Sequence, residues 1–384
     1  MLPDEAQLRA LRDAHPALSP ARALRHLTAR WLGAHPHLVM HGAGNTSLKE
    51  RGQDGRWTLW IKASGRDLGS LAVDEHLPVD LDLARALLAR EDLCDRALAA
   101  ALALPGRPAP SLETLMHAQI EAPWVDHTHP EAVLSIVNGP DGAEQIAALL
   151  GPGTAVVPYA RPGLALSRAV QRALRPGVRR LVLRHHGLVT WGEQPEDSLR
   201  DTLRAVRLAE GLLRPLSPSP AGPDPAQGWG QLRPYLERLL PGDALAWGAS
   251  EEDLALAAAG VTDGASPTTD HLARTRPWLL DGADPARPGT SASPEQLAGA
   301  LARWTARYQA YLDHHLPPGI HPFPARPRVI TLPGVGLVGA GGSDREAAVA
   351  LDLGRSALRV RARAPHPLVD LDLGELIAME YPDA

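Results

Sequence analysis

The stretch Trp124-Val125-Asp126-His127-Thr128-His129-Pro130 sets two imidazoles one residue apart in a run with the aromatic and β-branched content of a strand. In extended backbone alternate side chains leave the same face. His127 and His129 can therefore reach one point in space, as two ligands of one divalent cation must. Pro130 ends the strand and Glu131 to Val137 can leave as a helix, which places the pair at a strand terminus. A bare His-x-His pair also fits two packed or surface histidines, so the rest of the chain has to separate the readings.

Further along, Leu181 to Gly192 reads as a buried strand carrying a His185-His186-Gly187 break. Gly187 permits a sharp backbone turn, which makes His186 a third ligand, while His185 faces the other way in a regular strand. Three neutral imidazoles with an open position suit a catalytic Zn²⁺, another divalent metal being the alternative, and such an ion acts as a Lewis acid on bound oxygens. Ser111 is placed to cap a helix with Glu113 in its first turn. Glu113 is then the carboxylate best placed as base or replaceable ligand, although an ordinary first-turn acid would look the same.

Two glycine turns precede these elements. His41 to Leu48 reads as a tight turn entering a strand, Arg51 to Arg56 as a hairpin turn, and Trp57 to Lys62 as the returning strand, which runs into Ala63-Ser64-Gly65-Arg66. The Asn45 amide, the Ser64 and Ser111 hydroxyls and the backbone N–H groups around Gly65 could cradle a phosphate or a cluster of sugar hydroxyls, though each alone is a common turn sequence. Of the 39 Lys and Arg residues all but Lys49 and Lys62 are Arg, and both lysines lie near these turns. An ammonium is more compact than a guanidinium and its pKa is easier to tune, so Lys62 joins the substrate-binding candidates.

A chain of 384 residues calls for two domains, or one with a large appendage. The boundary is expected at the Pro/Ser/Gly-rich stretch 215–228, between a first domain, 1–214, and a second region, 229–384. The formal charge is −5 with both signs interspersed, and no basic patch is interleaved with aromatics, so nucleic acid is not an expected partner. Cys94 is the single cysteine, which excludes an intramolecular disulfide and suits a reducing compartment. The N-terminus lacks the layout of a signal peptide, and no apolar run is long enough for a bilayer. A soluble, cytoplasmic protein without a membrane partner is the expectation.

Helical patterns are expected over Glu5 to His35 (with Ser19 and Pro20 starting a helix), Asp80 to about Ala103, Val133 to Leu150 with a turn at Asn138-Gly139-Pro140, and Ser198 to Leu213. The second region begins with helices at Gln231 to Leu240 and Glu251 to Ala259. Ser266 to His271 caps another, Pro294 to His315 is helical, and Arg328 to Leu332 is a strand. Gly334-x-Gly336-x-x-Gly339 has the letters of a dinucleotide fingerprint. The acid expected some twenty residues on is missing, as Arg359 to Arg363 offers only basic groups, and NAD binding is not expected.

HGAGNTSLK, WIKASGRDL, PSLETLMH, VDHTHP, VVPYARPG and LVLRHHGLVTWG follow one another here in the order found in the class II aldolase/adducin family, over about Leu32 to Trp191. In spacing the chain most resembles the aldolase part of the bifunctional rhamnulose-phosphate aldolase/short-chain dehydrogenase proteins. The likeness continues through 266–275 and 327–342, with no dehydrogenase domain expected. The resemblance implies a three-layer α/β/α sandwich with a mixed, largely antiparallel central sheet, plus a C-terminal α/β extension. It also implies Zn²⁺ bound by His127, His129 and His186, Glu113 as acid/base, and Asn45, Ser64, Gly65 and Ser111 in a substrate-phosphate pocket.

The implied function is that of a class II, zinc-dependent aldolase of carbohydrate metabolism, a carbon–carbon lyase. It would cleave a ketose 1-phosphate such as rhamnulose 1-phosphate to dihydroxyacetone phosphate and an aldehyde, as a homo-oligomer, with a tetramer expected. Two features depart from the family pattern. Leu112 stands where simpler members carry a second serine, and the tyrosine that some members use as proton donor has no clear counterpart.

Three rivals remain. A sugar-phosphate 4-epimerase shares the three histidines but usually has aspartate in the place of Glu113. A Schiff-base aldolase would use Lys62 and survive chelation. A non-catalytic adducin-like interaction protein typically lacks the metal histidines. Asp270 and His271 are the second region's candidates for polar contact with substrate.

Overall fold

The computed structural model describes residues 3–220 and 224–381. Its contacts divide the chain into two units. One runs through Val137 and includes Asp141–Leu212; the other joins Asn138–Pro140 to the chain from Leu213 onward.

Two side-chain caps open the first unit. Asp4 accepts from the Gln7 N–H to start α1 (Glu5–Ala14), and Ser19 accepts from the Arg22 N–H to start α2 (Pro20–Gly33), with Pro20 in the first turn as expected. Gly42 and Gly44, at φ 86° and 58°, turn the chain into β1 (Asn45–Arg51), which pairs through a hairpin with β2 (Trp57–Lys62). The next strand, β3 (His76–Asp80), falls outside the expected elements. Pro78 disguises it, and β3 tolerates the proline because it forms the edge of the sheet.

Then come α3 (Leu81–Leu88), α4 (Asp95–Ala101), α5 (Thr114–Gln119), β4 (Trp124–Thr128), α6 (Glu131–Val137) and α7 (Gly142–Leu150). They are followed by β5 (Thr154–Val157), α8 (Leu164–Ala173), β6 (Arg180–Leu183), β7 (Gly187–Gly192) and α9 (Pro195–Glu210). Leu181 to Gly192 is thus a tight antiparallel hairpin of two strands, not one interrupted strand.

Among the described residues these strands form a seven-stranded sheet in the order β3-β2-β1-β4-β7-β6-β5, antiparallel except for the β5–β6 pair. Helices cover both faces, which gives the three-layer α/β/α arrangement. On one face Leu59, Ile61 and Val79 meet Leu87, Leu98 and Leu115, and Val125, Leu181 and Val189 meet Met116, Leu166 and Val170. Each such side chain contributes about 1.5–3 kcal/mol by leaving water. On the other face α2 and α9 pack: Arg25 pairs with Asp126 at 2.8 Å, Ser198 donates to Asp126 at 2.5 Å, and Thr190 donates to the Ser198 carbonyl. The alternation along β4 therefore sends Val125 and His127 to one face and Asp126 to the other.

The second unit holds α10 (Pro225–Leu239), β8 (Ala244–Gly248), α11 (Glu251–Ala258), α12 (Thr269–Thr275), β9 (Leu280–Asp281), β10 (Ala283–Asp284) and β11 (Arg287–Ser291). It continues with α13 (Pro294–His315), β12 (Val329–Leu332), β13 (Gly336–Gly341), α14 (Asp344–Ala362) and α15 (Leu373–Glu380). Its main sheet runs β8-β13-β12-β9 among the described residues, antiparallel except where β12 meets β9. Residues 221–223 of the expected linker lie outside the described residues, and α10 begins within the remainder, Asp224 accepting from the Ala226 N–H.

Gly336 and Gly339 lie in strand β13, not in a strand-to-helix loop. A Cβ on Gly339 would sit 2.1 Å from the Ala347 carbonyl oxygen, so this glycine admits α14 onto the sheet. The fingerprint letters carry a packing requirement here. No helix among the described residues is long and apolar enough to cross a membrane.

Candidate metal centre

The β1–β4 and β4–β7 pairings build the site. Asn45 lies opposite His127 across β1–β4, and Thr128 lies opposite Leu188 across β4–β7, so the end of β4 faces the turn that carries His186. In that turn His185, not the glycine, takes the left-handed conformation, at φ 54°. Gly187 is required for a different reason than turning: a Cβ there would lie 2.3 Å from the Thr128 carbonyl oxygen, 2.8 Å from His129 Cδ2 and 3.1 Å from His127 Cε1. Only a residue without a side chain lets β7 come this close to the imidazoles.

His127, His129 and His186 are brought together, each offering a ring nitrogen, all within 4.8 Å of one another. The Nε2 atoms of His127 and His129 are 3.0 Å apart, and those of His127 and His186 are 3.2 Å apart. His127 donates its Nδ1–H to the Leu188 carbonyl at 3.1 Å, so a neutral ring presents a bare lone pair at Nε2. Burial keeps that ring neutral, pulling it down to about 3; the other two imidazoles push the same way, and Glu113 opposes them.

A tetrahedral ion with Zn–N bonds of about 2.0–2.1 Å holds its nitrogens roughly 3.3 Å apart. The observed separations, with lone pairs converging inside a buried site, fit a divalent cation on these three residues.

Glu113 completes the cluster, with Oε1 3.1 Å from His186 Nε2 and Oε2 3.4 Å from His127 Nε2. It stands at the N-cap of α5, one residue before the helix, and its side chain caps nothing. The expected Ser111 cap is shifted: the Ser111 hydroxyl accepts from the Glu113 N–H at 3.2 Å, a turn that precedes the helix proper. Burial by itself would raise the Glu113 pKa. The imidazoles of His127 and His186 beside it and the Asn45 amide that donates to it act the other way and hold the carboxyl well below the usual carboxylate range.

The other expected site residues divide into two sets. Asn45 is buried beside Glu113, donating to its Oε2 at 2.6 Å and to the Ser111 hydroxyl at 3.0 Å, so both amide hydrogens are engaged. Ser64 and Gly65 form an exposed turn joined to the Ser111 segment, Ser64 N–H bonding the Ala109 carbonyl and Ser111 N–H the Lys62 carbonyl. Gly65, at φ 70°, adjoins Gly42, whose Cβ position is 3.0 Å from the Gly65 oxygen.

Lys62 is not brought to the cluster. The β1–β2 register puts Ile61 on the face of Ser47 and Lys62 on the opposite one, and its ammonium donates to the Gly42 and Arg66 carbonyls at 2.7 and 2.5 Å, tying the two glycine turns together. Lys49 donates to the Ala122 carbonyl, and burial pulls its amine down to about 7. Leu112, at the position of the missing serine, is 55 % exposed.

One residue of this site, His117, was not expected from the sequence. His117 is fully buried, with Nε2 2.5 Å from Asn45 Oδ1 and Nδ1 2.7 Å from the Ser47 hydroxyl. The available signals were its spacing of four from Glu113, one helical turn, and the alternation Asn45, Ser47 on β1.

Two family models match the chain: the class II aldolase and adducin N-terminal domain over residues 27–213, and the aldolase class II second domain over residues 243–382. The uncharacterized oxidoreductase YuxG of Bacillus subtilis (strain 168) is 29% identical over 377 residues, which cover 88% of this chain and 54% of that protein. The chain thus spans about half the length of that curated relative. Methylthioribulose-1-phosphate dehydratase of Cronobacter sakazakii (strain ATCC BAA-894) is 34% identical over 203 residues, 47% of this chain and 85% of that enzyme.

Among solved structures, the N-terminal class II aldolase domain of a conserved protein from Thermoplasma acidophilum is 34% identical, over 49% of this chain and 91% of that one, with a TM-score of 0.45. The chain belongs to the family defined by the class II aldolase and adducin N-terminal domain.

Proposed function

We propose that the protein is a metal-dependent lyase acting on a ketose 1-phosphate, with Zn²⁺ held by His127, His129 and His186, and that it cleaves a carbon–carbon bond to release dihydroxyacetone phosphate and an aldehyde. The observation that carries this reading is the convergence of three imidazole nitrogens beside a buried carboxylate that another side chain holds in place. The bound metal supplies Lewis-acid polarisation to a substrate carbonyl and its neighbouring hydroxyl. Glu113 would take the proton of the hydroxyl that becomes the aldehyde and deliver it to the carbon left with the bonding pair when the carbon–carbon bond breaks. The turns at Gly42–Gly44 and Ser64–Gly65, tied by Lys62, supply backbone N–H groups for the phosphate.

A dehydration reading has its own support in the 34% identity to a methylthioribulose-1-phosphate dehydratase. The same site would then expel a hydroxyl as water in place of an aldehyde.

The test is a product screen over rhamnulose 1-phosphate, fructose 1-phosphate and methylthioribulose 1-phosphate, with and without EDTA, together with elemental analysis. Wild type should carry about one Zn²⁺ per chain, and His129→Ala should lose metal and activity together. Dihydroxyacetone phosphate among the products identifies cleavage, and a dehydrated phosphate ester identifies the second reading. Metal-free wild type turning over at the full rate rules out both, and trapping by borohydride would point to a Schiff base instead.

A further inference from the structure

Resting on the reading of Glu113 as the acid–base group, we infer that His117 is a positioning residue that fixes the Glu113 carboxylate through Asn45. Hydrogen-bond chemistry allows one assignment along this chain. Asn45 Nδ2 lies 2.6 Å from Glu113 Oε2 and donates to it. Asn45 Oδ1 then faces the other way and needs a donor, which is His117 Nε2 at 2.5 Å. With Nε2 protonated, a neutral ring accepts at Nδ1, and the Ser47 hydroxyl 2.7 Å away donates to it. The second Asn45 amide hydrogen goes to the Ser111 hydroxyl at 3.0 Å.

The amide is therefore held on three sides. Turning it over would set Oδ1 against the carboxylate and the amide hydrogens against the imidazole N–H, two repulsive contacts among buried groups. The scaffold reinforces the arrangement: Asn45 and Ser47 share one face of β1, and His117 lies one turn along α5, its N–H bonding the Glu113 carbonyl. The imidazole aims the amide, and the amide aims the carboxylate at the three histidines.

Three variants and one direct measurement test this. In His117→Gln the side-chain amide nitrogen can reach the place of Nε2 and donate to Asn45, whereas His117→Asn is too short and His117→Leu has no donor. On the best substrate of the screen above, His117→Gln should keep kcat within about threefold, while His117→Asn and His117→Leu lose about 10–100-fold, the usual effect of removing an outer support. KM and zinc content should stay near wild type in all three. Equal kcat in all variants, or a His117→Gln as slow as His117→Asn, overturns the inference, since a merely structural ring would show no rescue by the donor.

Ring-nitrogen NMR of ¹⁵N-histidine-labelled, zinc-loaded wild type is independent of turnover and of variant folding. A His117 ring protonated at Nε2 and bare at Nδ1 supports the chain; one protonated at Nδ1 overturns it. Wild type that cleaves none of the substrates refutes the functional reading, and the NMR result then decides the hydrogen-bond chain by itself.

Discussion

Gly187→Ala is the sharpest perturbation the structure suggests, because it adds one methyl group at the point where two strands and two imidazoles meet. The new carbon would stand 2.3 Å from the Thr128 carbonyl oxygen, about 1 Å short of ordinary contact, and 2.8 Å from His129 Cδ2. The obstructing oxygen belongs to backbone in the β4–β7 ladder, so no rotamer change relieves the clash. β7 or the turn before it must shift by something approaching that distance. Overpacking of this kind costs about 1–3 kcal/mol, and the upper end applies where backbone has to move.

The functional cost is larger. Metal–ligand distances tolerate only about 0.2 Å of error, and the shifted turn carries His186. If the proposed zinc site is right, its affinity for zinc should fall by about 10–100-fold or more. Urea unfolding of metal-free protein reads the first effect, and competition against a zinc chelator reads the second.

Gly230→Ala is the matched control. The same methyl group meets nothing within 4 Å in the interior of α10, and it should stabilise by about 0.5–1 kcal/mol. A Gly187→Ala protein with wild-type zinc affinity and wild-type urea midpoint would refute the argument that close strand approach builds the metal site.

Two further outcomes follow from buried charge. Arg25→Met would strand the Asp126 carboxylate, which is fully buried under the sheet and would keep, among the described residues, the Ser198 hydroxyl as its side-chain donor, and should cost about 3–5 kcal/mol in urea unfolding; a loss below about 1 kcal/mol would contradict the pairing. Burial also pulls His26 down to about 4, the nearby Arg30 and His15 adding to it, and His127 to about 3. Both rings are neutral in the fold and take up protons more readily in the unfolded chain, so their contribution is complete above pH 6.5 and lost as pH falls towards 4 and then 3. Melting of metal-free protein should drop steadily from pH 6.5 to 4, and a flat profile over that range would count against these buried neutral rings.

Local rules made a large share of the fold legible. Ser19-Pro20 and Ser293-Pro294 start α2 and α13 where a cap followed by proline should, and α13 has the expected bounds. Elements whose local signal is contradictory were not legible. Pro78 hides β3, whose edge position makes the proline harmless. Pro225, Gly228 and Gly230 mask the start of α10, where the proline sits in the first turn and needs no N–H partner.

The same division runs through the site. The period of two along β4 is a property of extended backbone, so the sequence by itself determined that His127 and His129 share a face. Glu113 and His117, four apart, were likewise bound to lie one helical turn from each other. Which way Asn45 turns its amide, that Lys62 faces the glycine turns and not the histidines, and that Gly187 is needed for space more than for turning were decided by tertiary structure alone. Each depends on atoms that strand register and helix packing bring together from distant parts of the chain, and no local stretch of sequence encodes those distances.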